Sequence, residues 1–168
     1  MCEDSRVLNN VWNLYFHDPN EMAWDISSYI HLDTVKSVDD WVKICRIFSD
    51  YWDKGMFFLM RNDIKPLWED DYNKNGGCIS FKLFKNEIKD CWFELTCKTI
   101  GEVLVNISEF HKISGVSISS KRSYCIVRIW VFDDSLKNSN MYDIKLPAYR
   151  KMIFKSHSEN KDYKDEEV

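Results

Sequence analysis

The chain reads as an α+β domain, a curved and mostly antiparallel β-sheet backed by helices on its convex face. Three observations predict it. Short runs rich in aromatic and β-branched residues recur between turn residues. Two segments show apolar residues at helical spacing. Strands and helices follow no regular βαβ rhythm, which argues against a parallel sheet. A chain of 168 residues builds a core without metal or disulfide support, and we expect one domain over residues 1–157.

Residues 11–16 have strand composition and end at the turn His17-Asp18-Pro19-Asn20. A second extended run, 29–32, leads to a helix beginning at Ser37, where Ser37 and Asp40 have the spacing of a capping box. Asp39 and Asp40 suit the positive end of the helix dipole, and Trp41, Ile44, Cys45 and Phe48 mark its buried stripe. Strands follow at 57–60 and 79–84. The next helix, about 86–100, has two candidate stripes: Ile88, Trp92 and Leu95 on one, Phe93, Cys97 and Ile100 on the other. One stripe faces the sheet, and the other is a docking surface or more core. Gly101 is placed to end that helix. Two strands, 116–120 and 125–132, are joined by the basic turn Lys121-Arg122-Ser123, and a last strand lies at 152–154 after Leu146-Pro147. Residues 158–168 are acidic and polar and read as a flexible tail.

Composition narrows the function classes. The net charge of −4 excludes a diffuse electrostatic grip on nucleic acid, so any such contact is local. Aromatics make up 15% of residues and include seven Trp; without a motif, a Trp-rich core is the default reading. Cys2, Cys45, Cys78, Cys91, Cys97 and Cys125 show no CxxC pair or zinc-finger spacing, which points to free thiols in a reducing compartment. The start Met-Cys-Glu-Asp-Ser-Arg is unlike a signal peptide and no apolar run spans a bilayer, so we expect a soluble cytoplasmic or nuclear protein with no membrane partner. His17, His31, His111 and His157 sit in unrelated segments and complete no Ser-His-Asp, Cys-His or metal constellation, and a P-loop is absent. An enzyme is therefore not expected, nor a cofactor.

The informative stretch is 65–77, Lys-Pro-Leu-Trp-Glu-Asp-Asp-Tyr-Asn-Lys-Asn-Gly-Gly, set between two apolar runs. Pro66 opposes helix and ladder pairing, and Gly76-Gly77 permits a tight reversal before the next strand, so Trp68 and Glu69 are presented rather than buried. The string PLWEDDYNKNGG resembles the PxWED-N-x-x-GG segment of the eukaryotic translation initiation factor 4E family, whose members grip the 7-methylguanosine cap of messenger RNA. The order of signals from about 7 to 157 is similar to that family's. Residues 11–16 look like its first strand, 33–35 and 37–41 its DTVEDFW segment with extra residues between the halves, and 153–157 its closing strand with the SH that follows.

The resemblance implies a slot on the concave side of the sheet and gives each site residue a role. Trp24 and Trp68 fall at the two stacking tryptophans, Glu69 at the base-reading glutamate, and Trp130 at the tryptophan near the N7-methyl group. The chemistry agrees: a guanine methylated at N7 is cationic and gains a cation–π term between two indoles, while a carboxylate accepts both N1–H and N2–H of guanine. For the phosphates, Lys121 falls at a family arginine, but the second basic position is Ile126 and the basic residue after the glycine pair is Cys78. Arg122 and Arg128 are the substitutes, Arg128 pointing to the same side of its strand as Ile126.

The implied partner surface also departs. Arg6-Val7 stands where the family carries His-Pro, Trp41 occupies its buried Phe position, and its exposed Trp becomes Val42. Val38, Val42, Phe93, Glu94 and Cys97 form the implied, altered dorsal surface for a scaffold initiation factor or binding protein. The resemblance thus implies a monomer that binds capped mRNA in translation initiation or its control. The alternatives are a cap-binding repressor and an interaction module that keeps the fold without recruiting the usual scaffold.

Overall fold

A computed structural model describes residues 6–146 and 150–161. Its strands are β1 Val7–His17, β2 Tyr29–Ser37, β3 Met56–Arg61, β4 Gly77–Phe84, β5 Ile113–Ser120, β6 Tyr124–Val131 and β7 Ile153–Ser156. Its α-helices are α1 Val38–Phe48, α2 Ile88–Ile100 and α3 His157–Lys161. The strands form one sheet in the order β2-β1-β3-β5-β6-β4-β7, and every neighbouring pair is antiparallel.

Period-two alternation divides the sheet into two faces. Trp12 and Leu14 of β1, Leu59 of β3, Ile79 and Phe81 of β4, and Val127 and Ile129 of β6 join one large cluster with Trp41 and Ile44 of α1 and Trp92 and Leu95 of α2. Their intervening neighbours Tyr15, Phe58, Cys78 and Trp130 form a smaller cluster on the other face, together with Trp68. Most of the apolar stabilisation therefore lies between helices and sheet. The opposite face is left for a site.

Trp52, in the connection after α1, locks the helical layer. Its ring meets Trp41 at 6.1 Å, Trp92 at 6.0 Å and Phe57 at 4.8 Å, so both helices and β3 share one aromatic joint. Of the two stripes read on α2, the first is buried; on the second, Ile100 is core, Cys97 is half-buried and Phe93 is exposed.

The helix ends follow local chemistry. The Ser37 hydroxyl accepts from the Asp40 amide at 3.2 Å while the Asp40 carboxylate accepts from the Ser37 amide at 2.9 Å, which is the expected capping box. At the end of α2, Gly101 keeps a right-handed conformation, and the left-handed residue is Glu102 at φ 59°. The Val103 amide reaches back to the Lys98 carbonyl and that of Glu102 to Thr99, a Schellman closure one residue beyond the glycine. The Glu102 carboxylate accepts from Asn9 and Asn10 of β1, which offsets the cost of its backbone conformation.

One sequence expectation shifts. The tail expected from Ser158 opens instead as part of the single turn α3, with 162–168 outside the described residues, as is Pro147. Between Trp130 and Leu146 the described residues hold two short 3₁₀ turns, Asp134–Leu136 and Ser139–Met141, and no α-helix. Replacing the α1 N-terminal serine, Ser37→Ala, removes half of the capping box and is expected to lower unfolding free energy by about 1 kcal/mol. A urea titration with unchanged slope and a shifted midpoint is the check.

Candidate functional site

On the face away from the helices, a cleft opens between the end of β1, the loop after β3 and strand β6. It is lined by Trp24 and Tyr29 on one side, Leu67, Trp68 and Glu69 from the loop, and Phe58, Arg128 and Trp130 from the sheet. Four residues singled out in the sequence, Trp24, Trp68, Glu69 and Trp130, thus come together from three separate segments. Trp12, Trp41, Trp52, Trp92 and Trp130 are buried, whereas Trp24 is 46% exposed and Trp68 half-buried. The Trp-rich core and the presented tryptophans are both present.

An unbroken series of rings runs under the cleft from one presented indole to the other. Trp24 meets Tyr29 at 6.4 Å, Tyr29 meets Phe58 at 5.3 Å, and Phe58 meets Trp130 at 6.1 Å. Trp130 then meets His157 at 5.1 Å, and His157 meets Trp68 at 6.4 Å. Trp130 is held from below by an indole N–H bond of 2.9 Å to the Ser117 hydroxyl. Trp24 also lies flat on the His17 imidazole, 4.1 Å away and 6° from parallel. His17 is itself fixed by a 2.8 Å bond between Nε2 and the Ala23 carbonyl, so Nε2 carries the proton.

The acidic triplet of the loop divides its work. Asp70 accepts from the amides of Lys65 and Tyr72 at 3.0 and 2.9 Å and so shapes the loop from within. Asp71 pairs with Lys74 at 2.7 Å at the surface. Glu69 is the exposed member at the cleft. Burial, and secondly the nearby Glu69 carboxylate, push the Tyr29 hydroxyl well above its ordinary range, so Tyr29 stays neutral.

What holds the loop was not legible in the sequence. Asn73 is fully buried, and its amide donates to the carbonyls of Lys65 at 2.9 Å and Leu67 at 2.8 Å. The Asn73 carbonyl accepts in turn from Nδ1 of the buried His157 at 2.8 Å, and the His157 amide donates to Gly76 at 2.9 Å. With Nδ1 donating, Nε2 accepts, and the Cys78 sulfur lies 3.2 Å from it. The four histidines read as unrelated to any cysteine therefore include one that the fold brings onto Cys78, across 79 positions of chain. The pair is no nucleophile: burial pushes the Cys78 thiol up to about 12, so it serves as an S–H donor.

The glycine pair is required by close approach rather than by a left-handed turn, since no glycine has positive φ. A Cβ on Gly76 would sit 1.8 Å from the Val131 carbonyl oxygen, and one on Gly77 would sit 2.4 Å from that of Lys155.

The three candidate phosphate cations occupy different places. Arg128 lines the cleft, with its guanidinium 3.3 Å from the Ser119 hydroxyl. Lys121 and Arg122, the other two candidates for the phosphates, are exposed in the β5–β6 turn and do not line it. The reason is strand length: Arg122 precedes Arg128 by about 20 Å of extended chain, at roughly 3.3 Å per residue. On the helical face, Val38 and Phe93 are exposed, Val42 and Cys97 half-buried, and Glu94 is paired with Lys98 at 2.8 Å. Cys45 of α1 and Cys97 of α2 are half-buried and pack against the same core cluster. Among the described residues no helix is long and apolar enough to cross a membrane, and no His, Cys, Asp and Glu cluster suits a metal.

Two outcomes follow from the network under the loop. Asn73→Ala leaves the Lys65 and Leu67 carbonyls without their partner and is expected to cost about 1–3 kcal/mol, with faster amide exchange confined first to residues 65–76; unchanged exchange there would count against the pin. A thiol whose folded-state pKa is raised contributes stability fully below its unfolded value of 9, and loses it as pH climbs toward 12. Cys78→Ala should therefore reduce the fall in urea midpoint between about pH 9 and 11, leaving the slope set by the other groups that burial raises, Cys45, Cys91, Cys97, Cys125, Tyr29 and Tyr142.

Comparison with known proteins agrees with this architecture. The family model described as eukaryotic initiation factor 4E matches residues 7–167. Eukaryotic translation initiation factor 4E of Saccharomyces cerevisiae is 30% identical over 132 residues, 73% of this chain and 60% of that protein. The factor from Eremothecium gossypii is 28% identical over 136 residues, 73% of this chain and 61% of that protein. The chain thus spans about three fifths of the length of these curated relatives. Among solved structures, a complex of C. elegans eIF4E-3 with the 4E-binding protein Mextli and a cap analogue superposes with a TM-score of 0.79 at 17% identity, covering 94% of this chain and 95% of that one. A schistosome eIF4E complexed with m7GpppA and 4E-BP gives 0.70 at 19% identity, over 80% and 75% of the two chains. With its match running nearly from end to end, this chain belongs to the eukaryotic initiation factor 4E family.

Proposed function

We propose that this protein binds the 7-methylguanosine cap of messenger RNA and acts in translation initiation or its control. The observation that carries the reading is the convergence of Trp24, Trp68 and Glu69 on one cleft over a floor that ends in Trp130. A cationic methylated base slots between Trp24 and Trp68, and Glu69 accepts its N1–H and N2–H. Trp130 lies beside the N7-methyl group. Solved relatives in complex with m7GpppA and with a cap analogue support the same ligand.

For the phosphates, Arg128 is the first cation and Lys121 and Arg122 are more distant ones. Cys78, standing where the resemblance leads one to look for a base, is neutral and buried, so fewer charges hold the phosphates and more of the affinity rests on the rings. The role is binding rather than catalysis, in the cytoplasm where capped messages are translated. The exposed Val38 and Phe93, with Glu94, Val42 and Cys97 beside them on α1 and α2, are the surface for a scaffold factor or binding protein. Whether the partner activates or represses depends on that altered surface.

Titration of intrinsic fluorescence with 7-methyl-GTP, with GTP as the control, tests the reading. Strong quenching by the methylated nucleotide alone is expected, and equal responses would sink the cationic sandwich. Glu69→Ala should weaken 7-methyl-GTP by roughly 1–3 kcal/mol, about ten- to a hundredfold, the worth of one bidentate base contact. Trp68→Ala should lose a similar amount together with most of the preference for methylation.

A further inference from the structure

The face that holds the cleft continues along the sheet. Ser80, Lys82 and Phe84 alternate on β4, and their register partners on β6 are Arg128, Ile126 and Tyr124. Period two keeps all of them on the side of Cys78 and Trp130. All but Arg128 line a second groove of about 570 Å³, closed on its far side by Ile153 and Lys151. The two depressions share a wall, because Arg128 lines the cleft and its partner Ser80 lines the groove.

Its chemistry differs from that of an ordinary sheet edge. Phe84 is 55% exposed and Ile153 62% exposed, large apolar groups left uncovered in the same groove. Cations stand over the rings: Lys82 Nζ is 4.7 Å from the Tyr124 centroid, and the Arg150 guanidinium is 4.9 Å from that of Phe84. Arg150 is committed to the Glu87 carboxylate and to the Lys82 carbonyl at 2.8 Å, so it braces the wall. Lys82 and Lys151 are exposed, and the turn carrying Lys121 and Arg122 closes on the Tyr124 carbonyl at 2.8 Å. Within a chain of net charge −4, this end of the sheet face gathers basic side chains around stacking rings. That combination suits single-stranded nucleic acid.

We infer that this groove seats the first nucleotides following the cap in the RNA, with a base stacked on Phe84 or Tyr124 and phosphates on Lys82 and Lys151. The inference rests on the cap reading above. With the methylated base in the cleft, the phosphates leave past Arg128, and the next position along β6 is the groove. Nothing in this path reads base edges, so the contribution is independent of sequence.

The test compares 7-methyl-GTP, a capped tetranucleotide and the same tetranucleotide uncapped, bound to the full chain at two salt concentrations. The wild type should hold the capped oligonucleotide roughly tenfold more tightly than 7-methyl-GTP, the equivalent of one stacked base. Its affinity should fall more steeply with salt, by a slope of about 0.7 for each added phosphate neutralised. Lys151→Glu and Phe84→Ser, both at exposed positions away from Arg128, should erase that gain and leave 7-methyl-GTP affinity and thermal midpoint unchanged. If 7-methyl-GTP binds and the oligonucleotide adds nothing, the groove assignment alone fails, and the groove belongs to a protein partner. If both variants weaken 7-methyl-GTP as much as the oligonucleotide, the groove is no separate site and the inference is overturned. If 7-methyl-GTP does not bind at all, the cap reading fails and takes the inference with it.

Discussion

The buried imidazole of His157 is the point on which the site depends. One ring nitrogen donates to the Asn73 carbonyl, the other lies against the Cys78 sulfur, and the faces of the ring meet Trp68 and Trp130. A single side chain thereby ties the loop after β3, the start of β4 and the floor of the cleft to the end of β7. In a low-dielectric interior such bonds are strong when complete and expensive when one member is missing. The tautomer is part of the arrangement: with Nδ1 donating to the Asn73 carbonyl, Nε2 is the nitrogen that faces the Cys78 sulfur.

The tryptophans show how one residue type serves two ends. On the helical side, Trp41, Trp52 and Trp92 fill volume and join the layers. On the other side, Trp24 and Trp68 leave ring surface uncovered, and each is backed by a histidine, His17 at 4.1 Å and His157 at 6.4 Å. A backed indole loses little conformational freedom when a ligand stacks on its remaining face, because its rotamer is already set. The cleft is thus organised before any ligand arrives.

The fold was legible in the sequence wherever a period was clean. Aromatic and β-branched composition marked strands along residues 11–16 and 125–132, Ser37 and Asp40 marked the start of α1, and Ile88, Trp92 and Leu95 its partner's buried stripe. The presented residues Trp24, Trp68 and Glu69 were legible because their spacing resembles a known pattern. Their supports were not. Asn73 reads as one more polar loop residue, and only the fold shows it buried. His157 lies 84 positions from Asn73, and no local rule links the two. Among the cations, counting along the chain favoured Lys121, whereas strand geometry favours Arg128, whose side chain alternates onto the cleft. The left-handed Glu102 escaped notice because the neighbouring glycine offered the more obvious helix stop.

The order of strands also sets a timetable. Strand β7 is the last to be synthesised, yet it sits at the sheet edge beside β4, and His157 follows it directly. A nascent chain emerging from the ribosome at about 5–20 residues per second can pair β1, β2 and β3 early. It cannot pin the loop that presents Trp68 until His157 has left the exit tunnel. The loop is therefore pinned only once β7 and His157 have emerged, and a chain truncated before them carries Trp24 and Trp68 without the contacts that hold the loop in place.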